Sequence, residues 1–195
     1  QARLALLHLL QLPENTALFL EKDDDLDLID GDGGKSLASL KHKAIGDKLT
    51  DLSTDFWKSV NIWLVRYKRD GRVASNLRFF LFTTGTVSAT SFLARFLPDP
   101  PVASDDAPTL TNLAKDALAK TRSQTISPIA MVFNELSDYE KQDFLERIQI
   151  FDGSPRIGDI PATIQNNHMR SIRREHRKFV FEYLEGWWTD TVIKH

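Results

Sequence analysis

The chain has 195 residues, 42% of them hydrophobic, with 25 Lys and Arg against 27 Asp and Glu for a net charge of −2. That length buries one good core, or a core with a helical piece appended, and the charge balance excludes a global positive field, so any contact with nucleic acid has to come from local patches. Cysteine is absent, which excludes disulfides and thiolate zinc sites and fits a reducing, cytoplasmic setting, and no apolar run approaches the roughly 20 residues that span a bilayer, so no membrane partner is expected.

The first twelve residues are helical in pattern, with Leu4, Leu7 and Leu10 on a broad apolar face that ends before Pro13, and His8 belongs to its packing. The chain starts inside this pattern without Met and is expected to be a piece of something longer. Residues 16–22 read as a strand. A hairpin follows, in which Leu26 and Leu28 alternate with Asp25 and Asp27, and Ala38 and Leu40 with Ser39 and Lys41, around Gly31-Asp32-Gly33-Gly34. Ser53 or Thr54 caps a helix carrying Phe56, Val60, Trp63, Leu64 and Tyr67 at helical spacing, and Arg69-Asp70-Gly71 turns the chain. The nearly unbroken apolar run 77–84 has strand length and predicts a central strand covered on both faces. Ser88 or Thr90 starts a short helix over 91–97, stopped by Pro98.

Residues 98–108 hold four prolines among small and acidic residues and mark the clearest boundary. Beyond it the pattern turns helical: a segment over 110–120, a capping box Ser137-Asp138-Tyr139-Glu140 opening a second, and a long helix over 166–193 with Met169, Ile172, Phe179, Tyr183 and Trp187 on one side. Ile148–Phe151 reads as a short edge strand or an extended connection. The organisation predicted is therefore an α/β core over 1–98, a linker over 99–109 and a helical extension over 110–195.

Chemistry concentrates in the hairpin. Seven acids fall within the twelve residues from Glu21 to Asp32. Such a run is ordinarily a solvated loop, but this one is continuous with strand-patterned apolar residues and faces a lysine across the turn. A calcium loop is excluded because no Glu closes it at the twelfth position: that place is Gly34 counted from Asp23 and Ser36 counted from Asp25. Asp25 and Lys41 are 16 residues apart, a separation that a tight hairpin brings side by side, with Asp27 as the alternative acid on the same face. Carboxylates beside a lysine suit a hard divalent cation and the cutting of a phosphodiester; the bland alternative is a surface ion pair. The five cations within 170–178 read as phosphate contacts or as a solvated helix face, and Trp57, Trp63, Trp187 and Trp188 read as core.

Helix, strand, Asp-rich hairpin and then x-x-Lys on the third strand resemble the PD-(D/E)xK nuclease fold. The resemblance is closer to the endonuclease domains of bacterial anti-phage effectors, the CBASS-associated DNA-degrading effectors and their relatives. It rests on Gln1 to Leu7, Glu21 to Leu26, Ser39-Leu40-Lys41-His42, the helix holding Phe56-Trp57-Lys58 and Trp63-Leu64, Phe82-Thr83-Thr84, and Leu184-Glu185-Gly186-Trp187-Trp188. It implies a restriction-endonuclease-like mixed sheet flanked by helices and a Mg²⁺ (or Mn²⁺) site. That site would take Asp25, Ser39 and the Leu40 carbonyl as ligands, Lys41 as the catalytic lysine, and Gln1, Glu21 and Asp27 in support. DNA contacts fall to His42, Lys43 and Lys48. It further implies double-stranded DNA as substrate with little sequence preference, homo-oligomerisation on activation, and a sensor domain for a cyclic oligonucleotide or another signal outside this chain. Ser39 departs from the Gln or Glu of the family, and leaves a second reading, a weakened nuclease-fold module for DNA binding or oligomerisation.

Overall fold

A computed structural model describes residues 2–20, 24–101 and 108–194. Helix α1 (Ala2–Leu9) leads into β1 (Ala17–Leu20), β2 (Leu26–Ile29) and β3 (Lys35–Lys41), paired antiparallel in succession. The β2–β3 turn is organised by Asp30, whose Oδ1 accepts the backbone N–H groups of Asp32 and Gly34. Gly33 takes a φ of 81°, and a Cβ on Gly34 would lie 2.4 Å from the Asp30 carboxylate, so the glycines are dictated by the turn.

Strand β4 (Lys48–Leu49) and helix α2 (Thr54–Arg69) then carry the chain over to β5 (Leu77–Thr83), which pairs parallel with β3. The two residues of β4 pair with β6 (Thr86–Val87) in a small second sheet. A 3-10 helix follows over Phe92–Phe96, capped by Ser91 Oγ rather than by Ser88 or Thr90. Helices α3 (Leu110–Ala119), α4 (Ile126–Asn134) and α5 (Asp138–Glu146) lead to β7 (Ile148–Phe151), which pairs parallel with β5. The capping box opens α5 as its sequence predicts. The Ser137 backbone N–H, with the Arg72 guanidinium and the Ser137 hydroxyl, holds the Glu140 carboxyl down at about 2.

The main sheet runs β1-β2-β3-β5-β7, antiparallel on one side and parallel on the other. Alternation sends successive side chains into two cores. Leu37, Phe79, Leu81, Ile148 and Ile150 meet α2 to α5; Leu26, Ala38 and Phe82 meet α1, α6 (Ile160–Asn167) and α7 (Arg174–Lys194). The fold is α/β, a mixed sheet between two helical layers with a long C-terminal helix, as the sequence implies. Among the described residues no helix is long and apolar enough to cross a membrane.

Ile148–Phe151 is an edge strand, one of the two forms its sequence allows: β7 is hydrogen-bonded to β5, and the larger core draws on residues from both sides of the proline-rich segment. One expectation changes. The long helix over 166–193 is two helices, broken between Asn167 and Arg174, and Met169, within the break, is buried in the smaller core. On α7 the buried residues are Phe181 and Trp188, while Phe179, Tyr183 and Trp187 are 60%, 70% and 57% exposed. The helical spacing of those three is real, but the face they share points to solvent.

Candidate functional site

The start of β2 and the end of β3 meet at one edge of the sheet, and the residues that the hairpin pattern singles out gather there. In β3 the Lys35 N–H donates to the Asn76 carbonyl and the Lys41 carbonyl accepts from Thr84 N–H, so odd-numbered residues turn their backbone groups toward β5. Even-numbered residues turn theirs to β2. Leu40 accordingly donates its N–H to Asp25 Oδ2 at 2.8 Å, and its carbonyl lies on that same edge. The Lys41 ammonium stands 3.6 Å from the same Asp25 oxygen, with both side chains about one-fifth exposed. Acid and amine therefore share one side of the sheet, at its rim.

Behind this pair sits a second carboxylate, one that the hairpin pattern does not single out. Asp24 is almost fully buried; Ser39 Oγ donates to it, 2.8 Å from Oδ1 and 2.7 Å from Oδ2, and Trp63 Nε1 donates to Oδ2 at 2.7 Å. Asp24 Oδ1 also accepts the Asp25 N–H at 2.9 Å. Burial of a charged carboxylate is tolerated only with such partners. The available signal was Trp63 itself: a buried indole N–H needs an acceptor, and the acidic strand is the nearest supply of one.

Asp27, the alternative acid, faces Lys35 rather than Lys41. It is fully buried and paired with Lys35 Nζ at 3.1 Å, at the opposite end of β3 from Lys41, while its Oδ1 accepts the Asp24 N–H. His42 and Lys48 are exposed, on the connection after β3 and on β4. Lys43 is tied to Asp55 in the first turn of α2. Gln1 and Glu21 lie outside the described residues. Of the basic cluster, Arg170 and Arg173 lie within the break before α7; Arg174, Arg177 and Lys178 occupy the first turns of that helix, with Arg177 Nε bonded to the Ile172 carbonyl.

Every donor at this edge is a hard oxygen: the Asp24 and Asp25 carboxylates, the Ser39 hydroxyl and the Leu40 carbonyl. Mg²⁺ is commonly held by one or two carboxylates and keeps several waters, so the set fits that ion in kind. Among the described residues no group of three or more His, Asp or Glu side chains gathers to hold a metal. The Asp24 oxygens are already occupied by Ser39, Trp63 and the Asp25 N–H, and a cation on Asp24 would require the Ser39 hydroxyl to turn away.

His8 lies on the other face of the sheet, its ring 4.1 Å from that of Phe82. Burial pushes its imidazole below the usual value of 6.5, opposed in part by a hydrogen bond to Gln11. Tyr67, bonded to Asp143, is pushed up by burial and by that carboxylate.

No protein-family model matches the chain, and no curated protein does. Among solved structures, the Moraxella osloensis Cap4 SAVED/CARF-domain containing receptor superposes with a TM-score of 0.51 at 14% sequence identity, over 99% of this chain and 42% of that one. The present chain thus spans less than half the length of that receptor, and the fold of the corresponding part is what the two share.

Proposed function

We propose that this chain is a metal-dependent endonuclease domain that cleaves double-stranded DNA with little sequence preference, as the effector part of an anti-phage defence protein. The observation that carries the reading is the meeting of Asp25, Leu40 and Lys41 at one rim of the sheet, with a 3.6 Å separation of carboxylate and ammonium. The fold shared with part of a Cap4 receptor that contains a SAVED/CARF domain supports a setting beside a sensor domain; activation by oligomerisation completes the reading.

In this reading Asp25, the Ser39 hydroxyl and the Leu40 carbonyl hold Mg²⁺, with Asp24 buried directly behind them. Bound there, the ion supplies a polarised phosphoryl oxygen and a water of lowered pKa. Lys41 places a positive charge where a phosphate oxygen gains negative charge, and Asp25 orients that ammonium. Trp63 and Ser39 fix Asp24, which in turn receives the Asp25 N–H and fixes the backbone at the start of β2. His42 and Lys48, exposed beside the rim, meet the phosphate backbone.

The test is cleavage of supercoiled plasmid in Mg²⁺ or Mn²⁺. Lys41→Ala and Asp25→Ala are each expected to lower the rate on the order of 10²-fold or more. Unchanged cutting in both variants refutes the site. One observation favours a second reading, a weakened module that binds DNA without efficient cutting: the Asp24 oxygens are taken up by neutral protein donors. Ser39→Gln separates the two, since a gain of cleavage identifies a weakened site.

A further inference from the structure

Helix α7 turns a seam of exposed residues outward. His176, Phe179, Tyr183, Gly186, Asp190 and Ile193 recur at alternating spacings of three and four residues, and all six are exposed. That is the heptad spacing by which one helix packs its side chains against another. Phe179 and Tyr183 meet along the seam with ring centroids 4.9 Å apart, and the exposed Trp187 flanks it. At 60%, 70% and 57% exposure the three rings leave about 400 Å² in water, and Ile193, 76% exposed, lengthens the patch. Gly186 stands in the middle of it. A glycine inside a helix costs about 1 kcal/mol against alanine. Its φ is not left-handed, and a Cβ there would meet nothing within 4 Å among the described residues, so the fold itself does not require it. The gap beside the rings is space for a group from outside the chain.

We infer that two copies of this chain pair through this seam, their α7 helices antiparallel about a two-fold axis, with Tyr183 of each entering the gap over the partner's Gly186. A two-fold interface sets one patch against itself, so the chain supplies its own complement: a projecting ring and, one turn away, the space to receive it. Antiparallel order also suits the charges. Arg174, Arg177 and Lys178 lie at the start of α7 and Asp190 near its end, which puts each Asp190 beside the partner's Lys178. Opposed helix dipoles act in the same sense, whereas a parallel pair would set basic start against basic start. Two copies hide about 800 Å² of ring surface, and His176, Asp190 and Ile193 bring the total toward the roughly 1,200 Å² at which stable interfaces begin. The dimer is accordingly weak, with a Kd on the order of 10 μM. The pairing involves none of the groups at the Asp25–Lys41 rim.

Sedimentation velocity of the whole chain between about 1 and 200 μM reads the equilibrium, and a reversible monomer–dimer exchange within that range is expected. Tyr183→Lys changes an exposed side chain, so it is expected to keep the thermal midpoint of the dilute protein while raising Kd at least about tenfold. Orientation is read with a short bis-maleimide, since the chain has no cysteine of its own. His176→Cys mixed with Ile193→Cys is expected to cross-link between the two variants in preference to either with itself, because antiparallel pairing over Tyr183 and Gly186 sets those positions opposite one another. A monomer at every concentration, a Kd unmoved by Tyr183→Lys, or cross-linking no stronger between the two variants than within either one each overturns the inference. Plasmid cutting that depends on Lys41 leaves the nuclease reading standing in all of those cases, and cutting unchanged in Lys41→Ala and Asp25→Ala refutes that reading alone.

Discussion

Replacing Trp63 by Phe tests how firmly the buried edge of the site is held. The indole N–H is 2.7 Å from Asp24 Oδ2, and both residues are shielded from water. A hydrogen bond to a charged group contributes about 1.5–3 kcal/mol, and the lost ring volume adds on the order of 1 kcal/mol, for a total of about 2–4 kcal/mol. For a chain of this length each kcal/mol moves Tm by about 2–4 °C, so a fall of about 4–16 °C is expected. The stacking of residue 63 on Phe79, with centroids 5.4 Å apart, survives the change and keeps the core closed. Trp57→Phe is the matched control: Trp57 is as buried, but its Nε1 donates to the neutral Asp51 carbonyl, so its hydrogen bond contributes only about 0.5–1.5 kcal/mol. Ser39→Ala should couple with Trp63→Phe in a double-mutant cycle, because both donors serve one carboxylate. Urea denaturation and thermal melting, both followed by far-UV circular dichroism, read the wild type and the four variants. A loss below about 0.5 kcal/mol for Trp63→Phe, or one no larger than that of the control, refutes the claim that Asp24 depends on this bond.

Two further outcomes follow from groups away from the rim. Burial holds His8 below 6.5 in the folded state, so as pH falls through that value the unfolded chain takes up a proton that the native one refuses. The stability contributed by neutral His8 is therefore intact above 6.5 and declines below it; His8→Phe should flatten urea midpoints measured between about pH 5 and 8, and an unchanged slope would assign the pH dependence to other groups. Arg147 donates to the carbonyls of Val73, Ser75 and Leu77 and pairs with Asp143, joining the end of α5 to the entrance of β5. Arg147→Met is expected to lose about 3–5 kcal/mol of unfolding free energy in the same assay; a loss under about 1 kcal/mol would mean that water replaces the guanidinium.

Where hydrophobic period and turn chemistry agree, the sequence is a reliable guide. The glycine turn, the alternation on both arms of the hairpin, the Phe56-to-Tyr67 stripe of α2 and the apolar run of β5 all reappear as read, because each is fixed by local geometry. The hairpin brings Asp25 near Lys41, but the register pairs Leu26 with Ala38, so the two are offset and the lysine side chain spans the offset to reach the carboxylate. Placement that depends on distant partners was not visible. Asp24 looked like one acid among seven, and only the fold brings it under Trp63 and Ser39. Asp27 is two residues from Asp25, yet its carboxylate is buried, paired with Lys35 and bonded to the Asp24 N–H rather than presented to Lys41. On α7 the spacing puts Phe179, Tyr183 and Trp187 on one side and Trp187 reads as core, but period says only that one face differs from the other, not which face is inward, and this one is exposed. Helix α4 went unread: its nine residues, with Pro128 in the first turn, are too few to establish a period.

The parallel pairing of β5 with β7 has a bearing on how this chain is synthesised and handled. During translation the Phe-rich strand Leu77–Thr83 leaves the ribosome well before Ile148–Phe151, the neighbour that closes its second edge. Until then a sticky, hydrogen-bond-hungry border stays open, which favours slow maturation and clumping of nascent chains. Expression boundaries set at the proline-rich segment would make that interval permanent. Shortened versions meant for biochemistry should accordingly extend past residue 151.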